Sequence, residues 1–275
     1  MEQIIRVSDD FAANYYPLRM SSDINWSGVK GCWKAELSIA EVPSDHIIVP
    51  SFSMIDADYS FCFELQTPSG KCRLSSIPEL KGEMKPENFS ELLTPHIDCW
   101  HTSQYIHEAK LVAQVFTKKE PRNFLFICSI RPIRKPVESL APKWKGTLSY
   151  VTPISQMLAE EKIRHRICSP SSLAMAVSKI KGLAEIEANA VWKKLITLCY
   201  DQNINAYGSW PKAMYAASAF GVLGGIEAHA DLESAEKCLE LGRPVVCSID
   251  YEKGKLKGAP LESTKGHLVT LIGVN

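Results

Sequence analysis

Several features that would direct this sequence to a common destination are missing. No sign of charge dominates: 31 Lys and Arg stand against 31 Asp and Glu. That balance points neither to nucleic acid nor to an anionic membrane surface as a partner. No apolar run approaches the ~20 residues that cross a bilayer, so no membrane span is expected. The opening Met1-Glu2-Gln3-Ile4-Ile5-Arg6 lacks a basic stretch followed by a long apolar core, and no signal peptide is expected. No Cys-x-x-Cys pair occurs among the nine cysteines, whose number is odd and whose spacing is irregular. The simplest reading is reduced thiols in a cytosol-like compartment, mostly buried as small hydrophobes. Cys62 and Cys72 flank a turn and would bridge only under oxidising conditions.

What is present is apolar bulk. With 45% hydrophobic residues over 275 positions, the chain can build one large domain or two medium ones. Residues 1–145 read as a strand-rich domain with almost no helical periodicity. Cys32–Ala40 alternates, with Trp33, Ala35, Leu37 and Ile39 on one face. His46–Pro50 holds a short apolar run. Ser60–Thr67 alternates through Phe61, Phe63 and Leu65, then Pro68-Ser69-Gly70 turns the chain toward Lys71–Ser75. Lys110–Thr117 and Asn123–Ile130 are two further strands. Short strands separated by turn signals predict a β-sandwich. Pro78–Pro95 reads as a long loop, and Ile130–Trp144, with three prolines, as a linker or strap. Cys99, His101 and His107 lie close together, but their spacing fits no standard zinc pattern and a surface of strands and loops explains them better. Trp26, Trp33, Trp100 and Tyr105 are read mostly as core, with a carbohydrate or peptide groove as the rival.

Residues 146–275 change character. Gln156 stands just before a short helix. Arg166-Ile167-Cys168-Ser169-Pro170-Ser171-Ser172 leads into a small, apolar helix reaching about Ile180. Ser169 and Ser171 are good cap types and Pro170 suits a first turn. Ala184–Tyr200 is amphipathic, with Ile186, Ala190, Leu195 and Leu198 as the expected buried stripe. Ala206–Pro211 is a loop and Lys212–Ser218 begins a helix. Ile226–Ala230 is expected as a short strand, Leu232–Leu241 as a helix closed by Gly242, and Pro244–Tyr251 and His267–Val274 as strands. Helices followed by an apolar sheet make an α+β pattern.

A thiol at a helix N-terminus feels the positive end of the helix dipole, which favours the thiolate. Cys168 is therefore the candidate nucleophile. His267, opening a late strand, is the candidate base that takes the thiol proton and later protonates the leaving amine. Cysteine before histidine, on a helix and a sheet respectively, is the papain-type order. Acyl transfer also needs donors for the developing oxyanion. The side-chain amide of Gln156 and the backbone N–H of Cys168 can supply them. Gly266 leaves room for substrate backbone beside His267. Tyr207, Gly208 and Trp210 are expected to wall the groove, although Trp210 before Pro211 also fits plain core. Asp201 and Asp250 are possible orienters of the histidine without motif support. His165, three residues before the helix start, is expected to point away. No metal or other cofactor is required.

These residues carry a family resemblance. Pro153-Ile154-Ser155-Gln156-Met157, CSPSSLAMAV from Cys168, YGSWP from Tyr207, LGRPVVCSI from Leu241 and GAPLESTKGHLVTLIGV from Gly258 recur in that order. Together they resemble papain-fold cysteine peptidases related to the bacteriocin-processing, double-glycine leader peptidases. The resemblance covers roughly residues 148–275. It implies Gln156 as oxyanion donor, Cys168 as nucleophile, His267 as base, and a peptide or protein substrate. It also implies a histidine-orienting Asp or Asn on a later strand. That position is expected beyond Asn275, so the domain is expected to be truncated here. The family admits secreted members, whereas the free thiols favour the cytoplasm. Two rival readings use the same site: an amidase or transpeptidase, and an inactive papain-like module that holds a peptide or glycan. A metal-binding protein is a third reading, which the ligand spacing does not support.

Overall fold

The alternation of Cys32–Val42 decides how the first strands pack. Ala35, Leu37 and Ile39 are buried while Lys34, Glu36 and Ser38 face outward. A computed structural model describes residues 3–21, 23–29, 31–79, 90–134, 142–229, 232–258 and 261–275. In chain order the strand-rich part comprises β1 (Gln3–Ser8), α1 (Asp10–Tyr15), β2 (Ser27–Val29), β3 (Cys32–Val42), β4 (His46–Met54), β5 (Ser60–Thr67), β6 (Gly70–Arg73), β7 (Leu93–Pro95), β8 (Trp100–Thr102), β9 (Ile106–Phe116) and β10 (Phe124–Pro132). There follow β11 (Gly146–Thr147), a 3-10 turn (Gln156–Leu158), α2 (Cys168–Lys181), α3 (Glu185–Cys199), α4 (Trp210–Ser218), α5 (Glu233–Glu240), β12 (Val245–Tyr251), β13 (Thr264–Leu271) and β14 (Gly273–Val274). The chain is thus a mixed α and β protein. No helix among the described residues is long and apolar enough to cross a membrane. No disulfide joins any of the nine cysteines.

The chain divides into two compact units, each made of two stretches. One comprises Met1–Leu140 and Trp210–Leu232, the other Ala141–Ser209 and Glu233–Asn275. A single cut near residue 145 would place 210–232 with the second half, whereas the structure groups that segment with the first.

In the first unit, two five-stranded sheets run in the orders β1-β10-β4-β8-β7 and β2-β3-β9-β5-β6. One core takes side chains from both: Val7, Phe52, Phe126 and Cys128 from one sheet, Ile39, Phe61, Phe63 and Leu111 from the other. Phe63 stacks on Phe126 with ring centroids 5.6 Å apart, and Phe52 meets Phe61 at 5.5 Å. Trp100 is fully buried, and Trp26 packs against this core with its ring 5.3 Å from Phe124. Burying each such side chain is worth roughly 1.5–3 kcal/mol. The end of the expected loop Pro78–Pro95 forms β7, and the start of the expected linker Ile130–Trp144 belongs to β10. Residues 80–89 and 135–141 of those two segments lie outside the described residues.

Segment 210–232 joins this unit because of serines on the outer face of β4 and β10. Phe52 and Met54 point into the core, so Ser51 and Ser53 point the other way. Ser53 Oγ donates to the Gly224 carbonyl at 2.7 Å and accepts from the Gly224 N–H at 3.1 Å. Ser51 Oγ accepts from Ile226 N at 2.9 Å, and Ser129 Oγ accepts from Ala228 N at 3.3 Å. Gly225 lies against β10, where an added Cβ would fall 2.2 Å from Ile127 Cδ1. The expected strand at Ile226–Ala230 is therefore absent through His229. Its backbone groups are satisfied by serine side chains and not by a partner strand. Ala230 lies outside the described residues.

A carboxylate ties the same segment to β1. Glu227 receives both Nε and Nη2 of Arg6 at 2.7 Å, the Tyr16 hydroxyl at 2.7 Å, and His229 Nε2 at 2.6 Å. Burial alone would push its pKa up. The hydrogen bonds from Arg6, His229 and Tyr16 outweigh that and hold it at about 2.

The second unit is built around α2. The helix ends at Gly182, whose φ of 64° is the left-handed conformation glycine adopts at little cost. α3 packs beside it through Ala188, Val191, Trp192, Leu195 and Cys199. The expected stripe is corrected here: Ile186 is 85% exposed and Ala190 is exposed. The large indole of Trp192 sets the phase, because its N–H finds the buried Ser171 Oγ at 2.9 Å. β12 pairs with β13 and β11 with β14, both antiparallel.

Candidate active site

Cys168 is the first residue of α2 and is partly exposed. The residue before it, Ile167, is the buried N-cap and makes no side-chain cap bond. The serines expected to cap the helix do other work. Ser171 receives Trp192, and Ser172 docks the helix on the sheet. Ser172 Oγ donates to the Leu268 carbonyl at 2.9 Å, and the Ser172 carbonyl accepts from Thr270 Oγ1 at 2.9 Å.

These two bonds bring the site's elements together. Cys168 and Ser172 are four residues apart and share one face of α2. His267 directly precedes Leu268 on β13. The first turn of α2 is therefore fastened to the strand immediately after His267. His267 is partly buried, and that burial lowers its pKa below the usual 6.5. The neutral imidazole, able to accept a proton, is favoured. Gly266 is exposed, and a Cβ added there would meet nothing within 4 Å. The chain just before the histidine is thus open to solvent.

Gln156 begins the 3-10 turn, with Ser155 as its cap. Its Nε2 donates to the Arg164 carbonyl at 2.6 Å. The amide therefore faces the segment leading into Cys168. An amide nitrogen carries two N–H bonds, so this contact leaves one for another acceptor. The backbone N–H of Cys168, at the helix start, has no intrahelical acceptor.

Tyr207 lies at the end of a closed turn. Asp201 and Ala206 bridge each other, and Asp201 Oδ1 accepts from Asn203 N at 3.0 Å. Asp201 thus organises a turn. Tyr207 packs on Tyr200 at 5.0 Å, and the Arg166 guanidinium lies over the Tyr207 ring at 5.7 Å. Arg166 Nη2 donates to both the carbonyl and the Oδ1 of Asn205. The Tyr207 turn is in this way tied to the residue two before Cys168. Gly208 is exposed with open space around it.

Trp210 opens α4, which the structure groups with the strand-rich unit, where its N–H donates to Asp98 Oδ2 at 3.4 Å. Asp250 is exposed on β12, beside the register irregularity between Ile249 and Tyr251. His165 is exposed. Cys99, His101 and His107 also find ordinary surroundings. Burial, with Asp98 beside it, pushes the Cys99 thiol up to about 12. The His101 ring lies tilted against His96 at 3.9 Å, and His107 meets Tyr105 edge to face at 4.8 Å. Among the described residues, no group of three or more His, Cys, Asp or Glu is arranged to hold a metal ion.

Sequence reasoning missed Ser172, Thr270 and Arg166. Ser172 could have been found from helical phase, since it repeats the Cys168 face one turn later. Nothing local marks Thr270 or Arg166, whose roles depend on the strand and turn they meet.

Residues 148–275 match the model of the Peptidase_C39 like family. This region is similar to that family. The match covers the 3-10 turn, α2, and the strands bearing His267, but somewhat less than half of the chain. It supports a cysteine-peptidase-type C-terminal region joined to a strand-rich N-terminal one. No curated protein matches the chain.

Proposed function

We propose that the chain is a cysteine peptidase with a papain-like catalytic unit, in which Cys168 is the nucleophile and His267 the general base. The observation that carries this reading is the pair of hydrogen bonds between Ser172 and β13, which fastens the cysteine's helical turn to the strand that carries the histidine. The C39-like match over the same residues supports it.

Cys168 Sγ attacks the scissile carbonyl carbon while its proton passes to His267. The carbonyl oxygen becomes an oxyanion, which the Cys168 N–H and the remaining Gln156 N–H can stabilise. The C–N bond then breaks and His267 gives its proton to the departing amine. A thioester links the acyl half of the peptide to Cys168. Water attacks this thioester, His267 takes the water's proton, and the thiol is restored as the acid product leaves. Tyr207, held by Tyr200 and Arg166, forms a fixed wall beside the nucleophile, and Gly208 and Gly266 leave room for an extended substrate backbone.

The test is incubation of the protein with a mixed peptide library, read by mass spectrometry. Wild type is expected to give new termini and, on rapid quenching, a thioester adduct on Cys168. Cys168→Ala is expected to give neither. Cleavage that persists in Cys168→Ala would reject the assignment. Ligated products in place of free acids would move the same site to a transpeptidase, and hydrolysis of side-chain or non-peptide amides with no peptide bond cut would move it to an amidase.

A further inference from the structure

Some of the cations on the segments leading into Cys168 and His267 have an ion-pair partner and others do not. Carboxylates neutralise several nearby cations: Glu161 pairs with Arg164 at 3.3 Å, Glu160 with Lys162 at 2.8 Å, and Glu262 with Lys253 at 2.9 Å. Arg166, Lys255, Lys257 and Lys265 have no carboxylate in ion-pair reach among the described residues. Two of these four flank the chemistry, since Arg166 stands two residues before Cys168 and Lys265 two before His267.

Arg166 is also held in place. Both N–H bonds of its Nη2 are spent on Asn205, and its Cζ lies over the Tyr207 ring, 5.7 Å from the centroid. A guanidinium has five N–H donors. The Nε donor and the two on Nη1 meet no acceptor among the described residues. Asn205 is itself fixed, accepting from the Tyr200 hydroxyl at 3.1 Å. A side chain ordered in advance loses less entropy when it captures a ligand than a free surface lysine does. The result is a fixed cation with open donors and no carboxylate partner among the described residues, two residues before the candidate nucleophile.

We infer that Arg166 is a specificity residue, selecting peptides with an Asp or Glu side chain close to the scissile bond. This rests on Cys168 being the nucleophile, as proposed above. The carboxylate would accept from Nε or Nη1 of Arg166, with Lys265 adding longer-range attraction that salt screens.

The experiment uses two small probes of Cys168, anionic iodoacetate and neutral iodoacetamide, on the full chain with mass mapping. Wild type is expected to favour iodoacetate at Cys168 by about fivefold relative to the same ratio at Cys32, the size expected of one charge pair near water. Arg166→Gln is expected to bring that ratio to about one, and Arg166→Lys to restore only part of it. Blocked peptides carrying Glu, or Gln in its place, then report the same ratio in kcat/KM. A third peptide, neutral but with a free C-terminal carboxylate, separates side-chain from terminal recognition. An iodoacetate preference that survives in Arg166→Gln, or none in wild type, overturns the inference while leaving the peptidase reading intact. Selection of the free C-terminus over Glu overturns the side-chain assignment. A Cys168 that labels no faster than the other cysteines with either reagent removes the nucleophile, and the inference falls with it.

Discussion

His267 works against its own burial. The partly buried site lowers its pKa, so the imidazole stays neutral to a lower pH than it would in water. Only the neutral ring accepts the thiol proton, so the acid limb of activity should fall below pH 6.5. An NMR titration of His267 in Cys168→Ala should give a midpoint under that value, and a midpoint above it would contradict the burial argument. The same shift has a stability consequence. The unfolded chain takes up this proton first, so the histidine's contribution weakens as pH falls from 6.5 toward its folded pKa. Gln156 offers a separate test. Losing one oxyanion donor costs roughly 10²–10³ in kcat, and Gln156→Ala should show a loss of that order in steady-state kinetics with the fold intact. At this scale the sequence was partly informative: Cys168 does open α2, though through no serine cap, and His267 lies on a late strand but inside it, three residues after the start of β13 at Thr264 and not at its opening as expected. The closed turn that fixes Tyr207 was not legible, since it depends on Arg166 reaching Asn205 across 39 residues of chain.

Elements owe their placement to polar side chains that patterns of hydrophobicity do not report. β3 and β5 announce themselves by alternation and β9 and β10 by apolar runs, but β7 and β8 are too short to do either. In α3 an apolar count chose Ile186 and Ala190, while the indole N–H of Trp192 selected a different stripe. In α2 the serines looked like caps and proved to be docking groups. Ser172→Ala should destabilise the protein by about 1 kcal/mol, the net value of one hydrogen bond. It should also slow alkylation of Cys168, because the helix start is no longer fastened beside His267. Chemical denaturation and labelling kinetics measure the two effects. A stability loss with unchanged Cys168 reactivity would show that Ser172 serves the fold alone.

At the scale of the molecule, the chain interleaves its two units. The segment between the cysteine-bearing and histidine-bearing stretches, 210–232, belongs to the strand-rich unit. A boundary near residue 145 was the natural reading of composition, because the serines that bind this segment, Ser51, Ser53 and Ser129, look like ordinary strand residues. Glu227 is the strongest single tie. Removing one partner of a buried pair costs about 3–5 kcal/mol, so Arg6→Ala and Glu227→Gln should each lower stability by about that much. Since its folded pKa is about 2, Glu227 contributes fully above the unfolded carboxylate value of 4.5 and loses that contribution as pH falls toward 2. A fragment beginning at residue 148 keeps the segment but loses its hydrogen-bond partners on β1, β4 and β10. Hydrogen exchange at Gly224, Ile226 and Ala228 should be fast in that fragment and slow in the full chain.

The measurement that bears most directly on the whole account is alkylation of the native protein by a small thiol reagent across pH, with mass mapping of all nine cysteines, in wild type and His267→Ala. Cys168 is expected to label well ahead of the other eight, and the excess is expected to disappear when His267 is removed. Equal labelling of Cys168 and the other partly exposed cysteines, or a Cys168 rate indifferent to His267→Ala, would contradict it.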